Sequence, residues 1–151
     1  MISTPSDGPA PQTAPLDLLN QMLGFTDELA RLQGGQWTYE NGVVFDPART
    51  TGYRGTLSCG EDSSRRFSVH IFGPGVSSPE DATTDAAENF AEQGFVETNK
   101  FDDQIDEDQY VIQTLTHQDG TSVVYTAGTD KSSINVRSAC SSHPDMAERT
   151  P

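Results

Sequence analysis

Apolar residues recur along this chain in two rhythms. Leu16, Leu19, Met22, Leu23, Leu29 and Leu32 return at helical spacing, and Phe25 broadens the stripe. Residues 16–33 therefore predict an amphipathic helix. Pro15 suits its first turn, Gly34-Gly35 ends it, and Gly24 weakens its middle by about 1 kcal/mol relative to Ala. A second helix is predicted after Ser78, with Ser78 as cap, Pro79 in the first turn and Asp81 three residues on. Its apolar stripe is thin, made of Ala82, Ala86 and Phe90 beside Ala87 and Ala91, and Gly94 closes it. Elsewhere the period is two, the mark of half-buried strands. Trp37 to Phe45 reads as two short strands about the turn Glu40-Asn41-Gly42. The stretch from Tyr53 to Cys59 puts Tyr53, Leu57 and Cys59 on one face, and the next strand turns Phe67, Val69 and Ile71 inward. Strands at 95–101, 110–117, 122–127 and 132–139 follow, the last three joined by hairpins at Asp119-Gly120 and Gly128-Thr129-Asp130.

Connections this short force antiparallel neighbours. The order α-β-β-β-α-β-β-β-β predicts an α+β fold, a two-layer sandwich of one antiparallel sheet with two helices packed on one face. At 151 residues the chain suits one domain. Residues 1–14 are Ser, Thr, Pro, Gly and Ala with almost nothing to bury, and predict a flexible leader or tether; 15–140 form the single α+β domain, and 141–151 a flexible tail.

The two cysteines change this picture most. Cys59 and Cys140 each end a patterned strand on its core-facing side, so the simplest reading is one disulfide between distant strands of a secreted domain, both sulfurs inward. Two unpaired buried thiols in a cytosolic protein, or a metal or redox pair, are the alternatives; no C-x-x-C is present and no histidine lies at ligand spacing. A bridge would close a loop of about eighty residues, worth at most roughly 4 to 5 kcal/mol in the chain-entropy model.

Charge narrows the partners. Nine Lys and Arg against 23 Asp and Glu give a net charge of −14, which repels nucleic acid and anionic membranes. No run of 18 apolar residues is present to span a bilayer, and Met1-Ile2-Ser3-Thr4-Pro5 has neither the charged nor the apolar region of a signal peptide.

No catalytic, cofactor or metal motif emerges. The acidic stretch Asp102-Asp103-Gln104-Ile105-Asp106-Glu107-Asp108 lacks EF-hand spacing and its glycine, and reads as a solvated hairpin loop, with calcium as the alternative. His70 on an outer strand face, His117 at a hairpin end and His143 in the tail have no nucleophile motif beside them. Glu40, Asp46, Glu61 and Asp62 form no pair that the sequence can place. Gly73-Pro74-Gly75 lacks a Walker lysine and precedes Glu80 and Asp81, so it reads as a structural turn. Trp37, Tyr39, Tyr53 and Tyr125 form either an aromatic recognition patch or core. Arg54, Arg65, Arg66 and Arg137 concentrate cations on strands and turns, and alternation projects Arg54 and Arg137 from the face opposite the helices. Arg54, Arg137, Trp37 and Tyr39 are thus the candidate binding face.

Several segments carry a family resemblance: a helix before Trp37, a strand ending in Cys59, Ser68-Val69-His70-Ile71-Phe72-Gly73 ahead of an Ala-rich helix, and Ile134-Asn135-Val136-Arg137-Ser138-Ala139-Cys140. Together they make residues 37–140 resemble actinobacterial LppA-like small lipoproteins and exported proteins. The resemblance implies a disulfide-bonded α+β domain outside the cytoplasmic membrane, held by a lipidated N-terminal cysteine and without enzymatic activity. No lipobox cysteine stands in this sequence, so membrane attachment would come only through an anchor outside it. The expected function is that of a non-enzymatic exported or lipid-anchored envelope domain binding a small ligand or protein, without cofactor. An acidic inhibitor or immunity-type protein and a small extracellular enzyme with a scattered site are the alternatives.

Overall fold

The computed structural model describes residues 13–53, 57–59 and 64–148. Helix α1 (Pro15–Gln33) buries Pro15, Leu18, Leu19, Met22, Leu23, Thr26, Leu29 and Ala30, a stripe at period 3.6. Leu16 and Leu32, expected in that stripe, fall beside it and stay exposed. Helix α2 (Pro79–Ala91) is capped by Ser78, whose Oγ accepts from Asp81 N at 3.2 Å. It buries Pro79, Thr83, Ala86 and Phe90. Thr83 is absent from the expected stripe because its polar type hides its position. Its hydroxyl donates back to Pro79 O at 3.0 Å, which satisfies it inside the core.

The strands are β1 (Thr38–Tyr39), β2 (Leu57–Ser58), β3 (Arg65–Arg66), β4 (Ser68–Pro74), β5 (Phe95–Ile105), β6 (Asp108–His117), β7 (Ser122–Gly128) and β8 (Lys131–Arg137), and a short helix α3 (Asp145–Glu148) follows. Six of them form an antiparallel sheet in the order β1-β4-β8-β7-β6-β5; β2 and β3 form a separate ribbon. Register fixes which face the helices cover. Gln113 and Tyr125 lie directly opposite each other and so share a face. Tyr125 Oη donates to Gln33 of α1 at 2.6 Å, while Gln113 Nε2 donates to Thr83 O of α2 at 2.7 Å. Both helices therefore lie on one side, as the α+β sandwich requires. Between them Phe25, Phe90 and Phe95 pack edge to face, with ring centroids 5.0 to 6.3 Å apart; each such pair adds about 0.5–1.5 kcal/mol beyond its buried area.

Cys59 and Cys140 are joined, S–S 2.09 Å and Cα–Cα 6.2 Å, across 81 positions of sequence. The bridge does not link two strands of the main sheet. Among the described residues of the expected 53–59 strand, Leu57–Ser58 forms a strand, and it pairs with β3 in the ribbon; residues 54–56 lie outside the described residues. The disulfide thus staples this ribbon to the chain leaving β8, and both cysteines are half-buried rather than enclosed. Beside it, Arg65 and Ser141 exchange backbone hydrogen bonds at 2.9 and 2.8 Å. The segment after Cys140 is accordingly docked where a flexible tail was expected. Ser141 is buried and Met146 is 1% exposed in the core, the apolar anchor that a reading by composition overlooks. Residues 1–12 and 149–151 lie outside the described residues.

The acidic stretch also differs from expectation. Residues 102–105 continue β5, paired with Val111, Tyr110, Gln109 and Asp108. Only Asp106 and Glu107 form the turn, with Asp106 at φ 56°, a conformation that aspartate tolerates better than most side chains.

Candidate functional site

On the side of the sheet away from β5, residues 40–53 fold over the start of β4. Asn41 and Gly42 make the expected turn: Tyr39 N donates to Val43 O at 2.8 Å, Val43 N to Asn41 Oδ1 at 3.0 Å, and Gly42 takes φ 87°. Tyr39 Oη then fastens the next loop, donating to Asp46 O at 3.1 Å and accepting from Asp46 N at 3.2 Å. The result is an open groove of about 610 Å³. Tyr39, Glu40, Asn41, Arg49, Thr51, Gly52 and Tyr53 wall it, and Ser68, Val69 and His70 of β4 form its floor.

Tyr53 is the least conventional group in it. Its hydroxyl is buried with no hydrogen-bond partner among the described residues. Burial, with the neighbouring Tyr39 second, pushes its pKa well above the usual phenol value, while the charge of Arg49 pulls the other way. His70 stacks on the exposed Phe72 next to the groove, ring centroids 4.4 Å apart. Arg137 stands directly opposite Ser68 in the β4–β8 register, which puts it on the same open face.

The sequence-proposed residues separate here. Tyr39 lines the groove, whereas Arg137 stands on β8 opposite Ser68 and is not itself part of the lining. Arg54 lies outside the described residues, as do Glu61 and Asp62. Trp37 is 4% exposed and does not contribute to a surface. Its indole covers Gly73, where an added Cβ would sit 2.4 Å from the ring, and its Nε1 donates to Gly34 O at 3.1 Å. Of the four aromatics read as patch or core, Trp37 and Tyr125 are core, whereas Tyr39 and Tyr53 line the groove. Val69 at the floor and the loop residues 49–52 were not singled out in the sequence. Only the distance-spanning fold over β4 brings them together.

The remaining candidates lie apart. His117 and His143 each accept from a backbone N–H two residues on, at 3.1 and 3.0 Å, and serve turns. Strand alternation puts Asp102 and Asp103 on opposite faces, and among the described residues no three His, Cys, Asp or Glu side chains converge to hold a metal ion. No described helix is long and apolar enough to cross a membrane.

No family model matches the chain, and no curated protein does. Among solved structures it is similar to a DUF4853 family protein from Actinomyces odontolyticus, with a TM-score of 0.58 and 18% identity over 92% of this chain and 72% of that one. At that identity the likeness is one of fold. The neighbour is actinobacterial, as the resemblance implied, but it adds nothing about LppA-like proteins.

Proposed function

We propose that this chain is a disulfide-stapled, non-enzymatic binding module, exported to an oxidising compartment of an actinobacterium, which recognises its ligand in the groove over β4. The observation that carries the binding reading is the groove itself. Two tyrosines wall it, one of them clamping its loop through Asp46, and its size falls among those of small-molecule sites, about 300 to 1,000 Å³. Amphipathic rings offer contact area at little entropic cost, so a fixed wall of this kind suits recognition. The Cys59–Cys140 bridge supports export, since such bonds persist in oxidising surroundings. Attachment to the envelope through a lipidated N-terminal cysteine belongs to this reading and rests on the LppA-like resemblance.

A fragment screen followed by amide chemical shifts tests the groove. Hits are expected to move the amides of Asn41, Gly52, Tyr53 and His70 and to be lost in Tyr39→Ala. Hits confined to other surfaces, or unaffected by that substitution, would overturn the assignment. Palmitate labelling of the full-length natural protein in its host tests the anchor, with absence of label counting against it.

A further inference from the structure

We infer that the groove takes a small organic anion, a carboxylate or phosphate monoester carried on a flat apolar body. This inference rests on the binding reading above and names the chemistry of its ligand. In a chain of net charge −14, cations are expected to sit beside carboxylates. Arg31 does so with Asp27 at 2.8 Å, and Lys100 with Glu80 at 2.9 Å. Arg49 and Arg137 do not, nor do Arg65, Arg66 and Lys131: among the described residues none of these has a carboxylate within 4.0 Å. Arg49 lines the groove together with Tyr53, and Arg137 stands on β8 directly opposite Ser68. One guanidinium group thus lines the opening, and a second stands on the strand next to its floor. A guanidinium presents a planar fork of N–H donors that matches the paired oxygens of a carboxylate or phosphate. The rings of Tyr39 and Tyr53 supply apolar surface for the rest of the ligand. Glu40 also lines the groove and is its negative charge. It disfavours a second anionic group and so favours a ligand charged at one end only.

The test uses four probes of one size at equal millimolar concentration: phenyl phosphate, benzoate, benzyl alcohol and benzylamine. Amide shifts are read on the folded, oxidised protein. One or both anions are expected to move the amides of Tyr53 and His70, while benzyl alcohol and benzylamine leave them in place. Whichever anion binds more tightly assigns the headgroup. Arg49→Gln with Arg137→Gln is expected to weaken the anions by about tenfold or more, and Lys131→Gln, on β8 at the far end of the sheet, to leave affinity unchanged. Benzyl alcohol or benzylamine moving the groove amides as strongly as the anions overturns the anion inference and leaves the binding reading standing. Anion binding that survives the double arginine substitution overturns it equally. No groove shift with any probe, in a protein whose spectrum is otherwise native, overturns both.

Discussion

The flanks of the sheet are finished in opposite ways. On the side of β1 and β4 the border strand is two residues long, a loop folds over it, and Arg49, Arg65, Arg66 and Arg137 gather there without carboxylate partners among the described residues. On the other side β5 runs eleven residues as a bare border. Val96, Phe101 and Ile105 on its open face are 64%, 48% and 56% exposed, and Asp102, Asp103, Asp106, Glu107 and Asp108 crowd its hairpin. An unpaired strand border is a template for association unless charge or irregularity blunts it. Here the carboxylates and the register shift between Glu97 and Asn99 do both. Carboxylates at the β5–β6 hairpin thus guard one flank, while the opposite flank is concave and, among the described residues, carries four arginines, with Glu40 and Asp46 as its acids.

The largest expected effect comes from removing the staple of the concave flank. Cys59→Ser with Cys140→Ser should lower unfolding free energy by as much as about 4 to 5 kcal/mol, read by chemical denaturation. Hydrogen exchange should quicken first in the β2–β3 ribbon and the segment after Cys140, and last in the β5–β6 hairpin. Exchange quickening first in that hairpin would erase the distinction between the flanks.

Next in size is Gly73→Ala, where a methyl group would meet the Trp37 indole at 2.4 Å. Overpacking of this sort costs about 1–3 kcal/mol. Phe101→Ser on the opposite flank should stay within about 0.5 kcal/mol. Equal effects from the two would contradict the view that one flank is built and the other merely guarded.

The smallest effect concerns pH on the acidic flank. Tyr110 Oη donates to Asp130, which raises the tyrosine to about 12 and holds the carboxylate below its usual value. The stabilisation from Asp130 is present above the ordinary carboxylate range and fades as pH falls through its depressed value. That from Tyr110 is present below the ordinary phenol value near 10 and fades as pH rises through about 12. Wild type minus Tyr110→Phe, measured by denaturation across pH, should therefore show a plateau that closes at both ends. A difference independent of pH would remove the hydrogen bond from the account.

Much of the fold was legible in the sequence because single-element periodicity carries it. The α1 stripe, the alternation in β4, β6, β7 and β8, and the two cysteines each speak locally. What stayed hidden depends on partners distant in sequence. Residues 102–105 look like a loop because aspartate disfavours strands, yet β6 holds them in the ladder through Tyr110 and Val111. Gln113, buried on β6, donates to the Thr83 carbonyl of α2, a pairing no periodicity reveals. Trp37 was legible as patch or core, and its burial over Gly73 decides for core. The groove was legible in part, through Tyr39 and Tyr53. Its residues 49–52 acquire meaning only once the loop closes over 68–70.

Crystals of the oxidised protein soaked in phenyl phosphate put the central claim to its most direct test. The account expects density in the groove, with phosphate oxygens within hydrogen-bonding distance of Arg49 or Arg137 and the ring against Tyr39 or Tyr53. Density seated elsewhere on the surface, with the groove accessible in the lattice and empty, would contradict it.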